Sequence, residues 1–416
     1  MPDLSHSARK ITIVLFLTQS IGTAAFIATG TLTSILGTKL GGGAAWSGVP
    51  TAVYLLGSAF AASAWGYLMD VIGRRNGIAV GLLMGVLGTG LAVFFINIGS
   101  FPGFLLGILL IGIANAAIAL SRFAAAEVHP PAKRGAAISN VVLGGAVGAI
   151  AGPLLVGPAG AWAESIAMDE LAGAYALGLL FFVAAAILVF IGLRPDPREL
   201  GRQVAEQYPH VGGFPDATPS DTARPILEIF RQPAALTALM AMVMGQVVMV
   251  AVMVITSIHM KDHDHSLENV SAVISAHTFG MFAFSVLSGR LADRWGRGPV
   301  ILVGASTLLL ACLAAPLSPD VLPLGVALFL LGLGWNFCFV GGSALLADQL
   351  SPAERARVQG TNDLLVGLAS AGASLGAGFI FAALGFVLVA LAGAMLSLLP
   401  IFLAAQLGKG AGSPSQ

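Results

Sequence analysis

Stretches of about 20 apolar residues, the length an α-helix needs to cross a bilayer, follow one another from Ile11 to the C-terminal tail with only short polar loops between them. Inside lipid every backbone N–H and C=O must find its partner within the protein, and an α-helix satisfies that demand within a single segment. The spacing predicts twelve spans, at 11–36, 45–69, 77–99, 103–126, 136–161, 172–193, 234–260, 269–290, 299–317, 321–346, 358–382 and 384–406. Of the 416 residues 57% are hydrophobic and only 10% charged, a balance that excludes a water-soluble globule. The expected fold class is an all-α membrane protein. Its first apolar run follows Arg9 and Lys10, is too long for a signal-peptide core and lacks a small-residue cleavage site, so it reads as a retained helix.

The formal net charge is zero, yet the bases are sorted. Arg74, Arg75, Lys133, Arg134, Arg294, Arg297, Arg355 and Arg357 fall in one set of loops, and only Lys39 and Lys261 in the other. Lys and Arg mark the cytoplasmic side. The expectation is therefore a multi-pass protein of a bacterial-type inner membrane with both termini cytoplasmic. The opposite loops carry Glu164, Asp169, Glu170, Asp262, Asp264, Glu268 and Asp320. Two readings of these acids stand level: a surface that concentrates cations, or the residue left where bases are excluded.

The chain also repeats itself. Gly66-Tyr-Leu-Met-Asp70-Val-Ile-Gly73-Arg74-Arg75 returns as Gly289-Arg-Leu-Ala-Asp293-Arg-Trp-Gly296-Arg297, 223 residues later. Glu127, Pro131 and Arg134 return as Asp348, Pro352 and Arg355 at an offset of 221. Two independent offsets that agree this closely point to a duplicated unit. The polar, Pro- and Gly-containing stretch 194–233 then links an N-terminal six-helix bundle, 1–193, to a C-terminal one, 234–416. The repeated G-x-L-x-D-x-x-G-R-[RK] pattern resembles the signature loop of the major facilitator superfamily, and the resemblance covers essentially the whole chain. It implies two six-helix bundles, and a gating role without substrate contact for Gly66, Asp70, Gly73, Arg74, Arg75, Asp293 and Arg297. The second copy lacks the double arginine.

In the fifth span, Gly148-Ala-Ile-Ala-Gly152-Pro153 followed by Gly157-Pro158 resembles a glycine and proline motif of facilitator-superfamily antiporters; close helix packing is the simpler reading. Cys312 and Cys338 lie far apart in apolar spans and read as small hydrophobes. A phosphate-binding G-x-x-x-x-G-K-[ST] loop, a nucleophile elbow and an H-E-x-x-H motif are all absent, so neither ATP-driven transport nor an enzyme is expected.

Seven of the twelve methionines and four of the seven histidines fall between Met240 and His277 or Met281, a window of 42 residues. Thioether sulfur and imidazole together suit Cu(I). Met249 and Met253 share one face of the seventh span, and His277 and Met281 one face of the eighth, because residues four apart are neighbours on a helix. Measured from the intervening turn the pairs stand at matched depths, so both faces are expected to look at one ion. Packing is the competing reading for methionine, whereas an ionisable His277 within an apolar span is a functional candidate. The Met-x-x-x-Met and His-x-x-x-Met pairs resemble the metal-binding pattern of CcoA-like bacterial copper importers, a branch of the same superfamily. That resemblance implies that Met249, Met253, His277 and Met281 bind copper as transported cargo, with no permanently bound cofactor and with a cytoplasmic copper acceptor as partner.

Above these pairs, His259, Met260, His263 and His265 are read either as an outer capture site or as a solvated loop. Among the other intramembrane polar groups, Gln19, Asn115, Asn140, Gln246, Asn336 and Asn362, the charged Arg122 and Asp363 are candidates for proton coupling. The expected function is secondary uptake of copper by alternating access, with lipid bilayer and a small solute as partners and no nucleic acid. The alternatives are a proton-coupled exporter of drugs or metabolites and a non-transporting copper sensor.

Overall fold

The computed structural model describes residues 4–130, 133–207, 224–350 and 352–410. Pro131 of the repeated echo and residues 208–223 of the linker lie outside the described residues, as do the side chains of Pro352 and Arg355. The chain divides into two compact units, Met1–Gly41 with Val53–Asp216, and Gly42–Ala52 with Ala217–Gln416.

The first unit contains α1 (Leu4–Gly41), most of α2 (Val49–Ile72), α3 (Arg74–Asn97), α4 (Phe101–Ala119), α5 (Ser121–Glu127), α6 (Arg134–Leu154), α7 (Val156–Ser165), α8 (Ala172–Gly192) and α9 (Pro197–Gln207). The second contains α10 (Ile226–Arg231), α11 (Pro233–Asp262), α12 (Leu267–Phe282), α13 (Ser285–Trp295), α14 (Arg297–Ala314), α15 (Val321–Asp348) and α16 (Pro352–Gly410). Packing repeats between them: α1 lies along α6 and α8 while α3 lies along α4 and α8, just as α11 lies along α16 and α14 along α15 and α16.

Ten helices among the described residues are long and apolar enough to cross a membrane, or eleven with the bent pair Ala44–Ala62 and Ala64–Ile72. The expected count of twelve is not reached as separate helices. The fourth, fifth and eighth expected spans are each interrupted, after Ala119, Leu154 and Phe282. The last two expected spans run together as one apolar stretch, Arg357–Leu407, broken by Gly385 at φ +80°. At 1.5 Å per residue its 51 residues extend roughly 75 Å, enough for two crossings.

Sequence chemistry accounts for the helix ends and close contacts. Ser100 caps α4, with Pro102 in its first turn, and Ser266 caps α12. The glycines of the fifth-span motif serve packing: a Cβ on Gly148 would lie 2.0 Å from the Ser20 carbonyl oxygen of α1, and one on Gly152 would lie 2.6 Å from that of Ala24. Buried hydroxyls such as those of Thr18, Thr29 and Thr256 donate to carbonyls within their own helices, so they leave no unsatisfied group in the apolar interior. The segment 42–52, expected within the N-terminal bundle, groups with the second unit because it packs on α16. There the Ser374 hydroxyl donates to the Gly48 carbonyl at 2.8 Å, and Gly48 leaves no room for a Cβ against the Ser374 carbonyl.

Candidate functional site

The repeated signature loops fold alike. Gly73 and Gly296 take φ +87° and +90°, a region closed to most side chains, so α2 turns sharply into α3 and α13 into α14. In the first loop the Arg74 guanidinium donates to Asp70 at 2.6 Å and to both carboxylate oxygens of Glu127, at 2.7 Å from Nη2 and 3.0 Å from Nε. In the second, Arg297 donates to Asp293 at 2.6 Å and to Asp348 at 3.2 Å. The offsets of 223 and 221 thus correspond to one clasp built twice. Arg75 takes a different role, stacking over the Phe190 ring at 4.9 Å and donating to its carbonyl. Gly66 and Gly289 face open space.

Three residues that the sequence did not single out complete this region. The Asp196 carboxylate, just past α8, accepts the backbone N–H groups of Arg74 and Arg75 at 3.2 and 3.0 Å and so caps α3 from the linker. It borders a cavity of about 940 Å³ that also includes Glu127, Arg134, Arg198 and Arg202. In the second unit, Arg224 at the far end of the linker grips the buried Glu354 of α16 with Nε and Nη2, both at 2.8 Å. These bonds hold the Arg224 guanidinium protonated, above its ordinary value. No motif marks either contact; the only available signal was an acid next to a helix start.

The methionine and histidine set is distributed differently from the expected hairpin. α11 and α12 make little contact with each other, and both pack on α15. Met249 is buried in an apolar cluster with Val252, Val273 and Leu328, and Met253 and Met281 pack against the same cluster. His277 is buried on the α15 side, its Nδ1 3.0 Å from the Leu328 carbonyl oxygen. α12 settles this deeply because Gly332 of α15 leaves room for the backbone of His277 and Met281. The polar contact of His277 is therefore with a backbone carbonyl, and its Nε2 is buried without a partner among the described residues.

At the hairpin end, the His259 ring stacks on Phe386 at 4.2 Å and meets His263 edge-on at 4.5 Å. His263 Nδ1 lies 2.8 Å from the His259 carbonyl and His265 Nε2 lies 3.0 Å from that of Pro319, while Met260 is fully buried. Among the described residues no three His, Cys, Asp or Glu side chains are grouped to hold a metal ion. Arg122 is exposed with its guanidinium over Phe123, and exposed Asp363 accepts from Gln359 and Asn362. Cys312 and Cys338 are buried and free.

A second polar group within the α11, α12 and α15 assembly involves Trp335, which sequence reasoning passed over. Its Nε1 donates to Gln246 Oε1 of α11 at 2.6 Å, and its ring lies nearly parallel to Phe339, with centroids 5.0 Å apart and planes at 14°. Beside it, Asn336 donates to the Met281 carbonyl and to Ser285, and accepts from Ser288.

Two long apolar units with duplicated clasps are matched by a family model. Residues 14–269 and 237–409 fit the model described as Major Facilitator Superfamily. The chain belongs to that superfamily. It is a multi-pass membrane protein and a secondary transporter by membership. It is 34% identical over 405 residues to the uncharacterized MFS-type transporter YdeG of Bacillus subtilis (strain 168), covering 96% of this chain and 92% of the relative. It is 31% identical over 371 residues to the riboflavin transporter RfnT of Brucella anthropi, covering 88% and 87%. Among solved structures, the nucleoside transporter NupG superposes with a TM-score of 0.69 over 98% of this chain and 100% of that one, at 15% identity, a likeness of fold alone.

Proposed function

We propose that this transporter carries a small organic solute with a planar ring system, of which riboflavin is the leading candidate, by alternating access. The observation that carries the reading is the similarity to RfnT, which extends over nearly nine-tenths of both chains. The two clasps, Arg74 with Glu127 and Arg297 with Asp348, suit a cycle in which each is made in one state and released in the other. Twelve crossings and cytoplasmic termini belong to the same proposal, supported by the Gly385 break and by the sorting of basic residues. Coupling to protons has Arg122 and Asp363 as its candidates. The test is uptake of radiolabelled riboflavin into proteoliposomes. Accumulation with wild type but not with Arg74→Ala is expected, and wild-type vesicles no more loaded than empty ones would sink the assignment.

Copper is the second reading, because one observation favours it. His277 Nε2 is a buried acceptor with no partner, one helical turn from Met281. An imidazole nitrogen facing a soft ion with Met249, Met253 and Met281 would bind Cu(I) weakly enough to release it. Radiolabelled copper uptake by Met249→Ala and His277→Ala at the wild-type rate removes this reading and leaves the first untouched.

A further inference from the structure

Trp335 and Phe339 lie on one α15 face, Trp335 half-buried against the apolar cluster of the second unit and Phe339 exposed. On this helix Gly332 and Asn336 face α12, Gly334 faces α14, and Gly342 faces α11. The most exposed aliphatics, Leu322 and Val326, mark an outward arc between the α12 and α14 contacts. At 3.6 residues per turn Trp335 stands about half a turn from Val326, between the α11 and α12 contacts. Since α11 and α12 barely touch, the ring sits where these two helices part, and Phe339 keeps 37% of its surface exposed there.

The chemistry of this face is selective. Phe282 of α12 meets Trp335 edge-on, with ring centroids 6.3 Å apart. Indole N–H is a donor only, so the Gln246 oxygen must point toward it. The Gln246 NH2 then points away with no partner among the described residues. Two stacked rings beside an amide donor match a flat solute with an acceptor on its edge. An aliphatic solute would use neither feature, and a cation would meet an NH2 donor.

We propose that Trp335, Phe339 and Gln246 form a binding site for a planar heteroaromatic ring bearing a carbonyl on its edge, with the ring stacking on the aromatic pair and the carbonyl accepting from Gln246 Nε2. The site rests on the transport reading above and deepens it by naming the residues that take the ring.

Lumichrome, a fluorescent tricyclic ring with two carbonyls, is the probe, and its anisotropy is followed with the full chain in nanodiscs. Phe339→Ala and Gln246→Leu are each expected to weaken binding about ten-fold, the usual effect of losing one stacking or hydrogen-bonding partner, with melting temperature unchanged. Phe379→Ala, an exposed aromatic elsewhere on α16, leaves binding as it was. Trp335→Phe, which keeps a ring but loses the Gln246 anchor, weakens binding less than Phe339→Ala. If wild type moves lumichrome across proteoliposomes while Phe339→Ala and Gln246→Leu bind it as tightly as wild type, the site is overturned and the transport reading stands. If wild type neither binds nor moves lumichrome, the ring class falls, and the site with it.

Discussion

Arg74 holds Glu127 across 53 residues of chain with two guanidinium nitrogens, and the same arginine also reaches Asp70 one turn before it. Its counterpart Arg297 reaches Asp348 with one nitrogen only, and both of that arginine's acids are more than half exposed. Charge-assisted, two-point bonds in a half-buried setting outweigh single exposed ones. Arg74→Ala is therefore expected to lower stability by about 1–2 kcal/mol and Arg297→Ala by less than about 1 kcal/mol. Thermal unfolding in detergent reads the difference, and equal losses would refute it. Raising salt should widen the gap, because screening removes the exposed Arg297 pairs first.

Asp196 supplies the cap that α3 lacks in its own sequence, since Gly73 offers no side chain. Asp196→Ala leaves two backbone donors uncapped and should cost about 1 kcal/mol. Hydrogen exchange at the amides of Arg74 and Arg75 should rise in this variant while that of α14, whose N-terminus has no such cap among the described residues, stays constant. Unchanged exchange at Arg74 and Arg75 would count against a capping role.

How far these contacts were legible depends on their range. Apolar runs announce spans, because a bilayer demands the same length of each, and the duplicated loop announced its clasp, because Asp70, Arg74 and Glu127 recur together. The interruptions at Ala119 and Phe282 carry no proline that a pattern would catch, whereas the one at Leu154 falls between Pro153 and Pro158 of the glycine and proline motif. Asp196 and the Arg224–Glu354 pair act over more than a hundred residues, and the Trp335–Gln246 bond spans 89, so local spacing is silent on them. Spacing did place His277 and Met281 on one face of α12. It could not reveal that this face packs on α15 at Gly332, because a helix face names no neighbour.

The glycines of the two motifs differ in what they do, and that difference is measurable. Gly148 sits against the Ser20 carbonyl, so Gly148→Leu must push α6 off α1 at a cost of several kcal/mol, on the scale of about 1–3 kcal/mol for modest overpacking and more for a clash with backbone. Gly66 has no atom within 4 Å of a Cβ, so Gly66→Ala should express and melt like wild type. Size-exclusion profiles in detergent separate the two, and a well-folded Gly148→Leu would contradict the packing role.

The unpaired Nε2 of His277 gives the last test. A buried polar group without a partner costs about 1–3 kcal/mol, so a fold that keeps one either fills it during the transport cycle or carries the cost. His277→Leu removes that cost and loses only one bond to a carbonyl that α15 already engages within its own helix. Its unfolding free energy should therefore stay within about 1 kcal/mol of wild type, while uptake falls if Nε2 is used in transport. A loss of several kcal/mol with full uptake would mean that the imidazole serves the fold of the α12 and α15 seam.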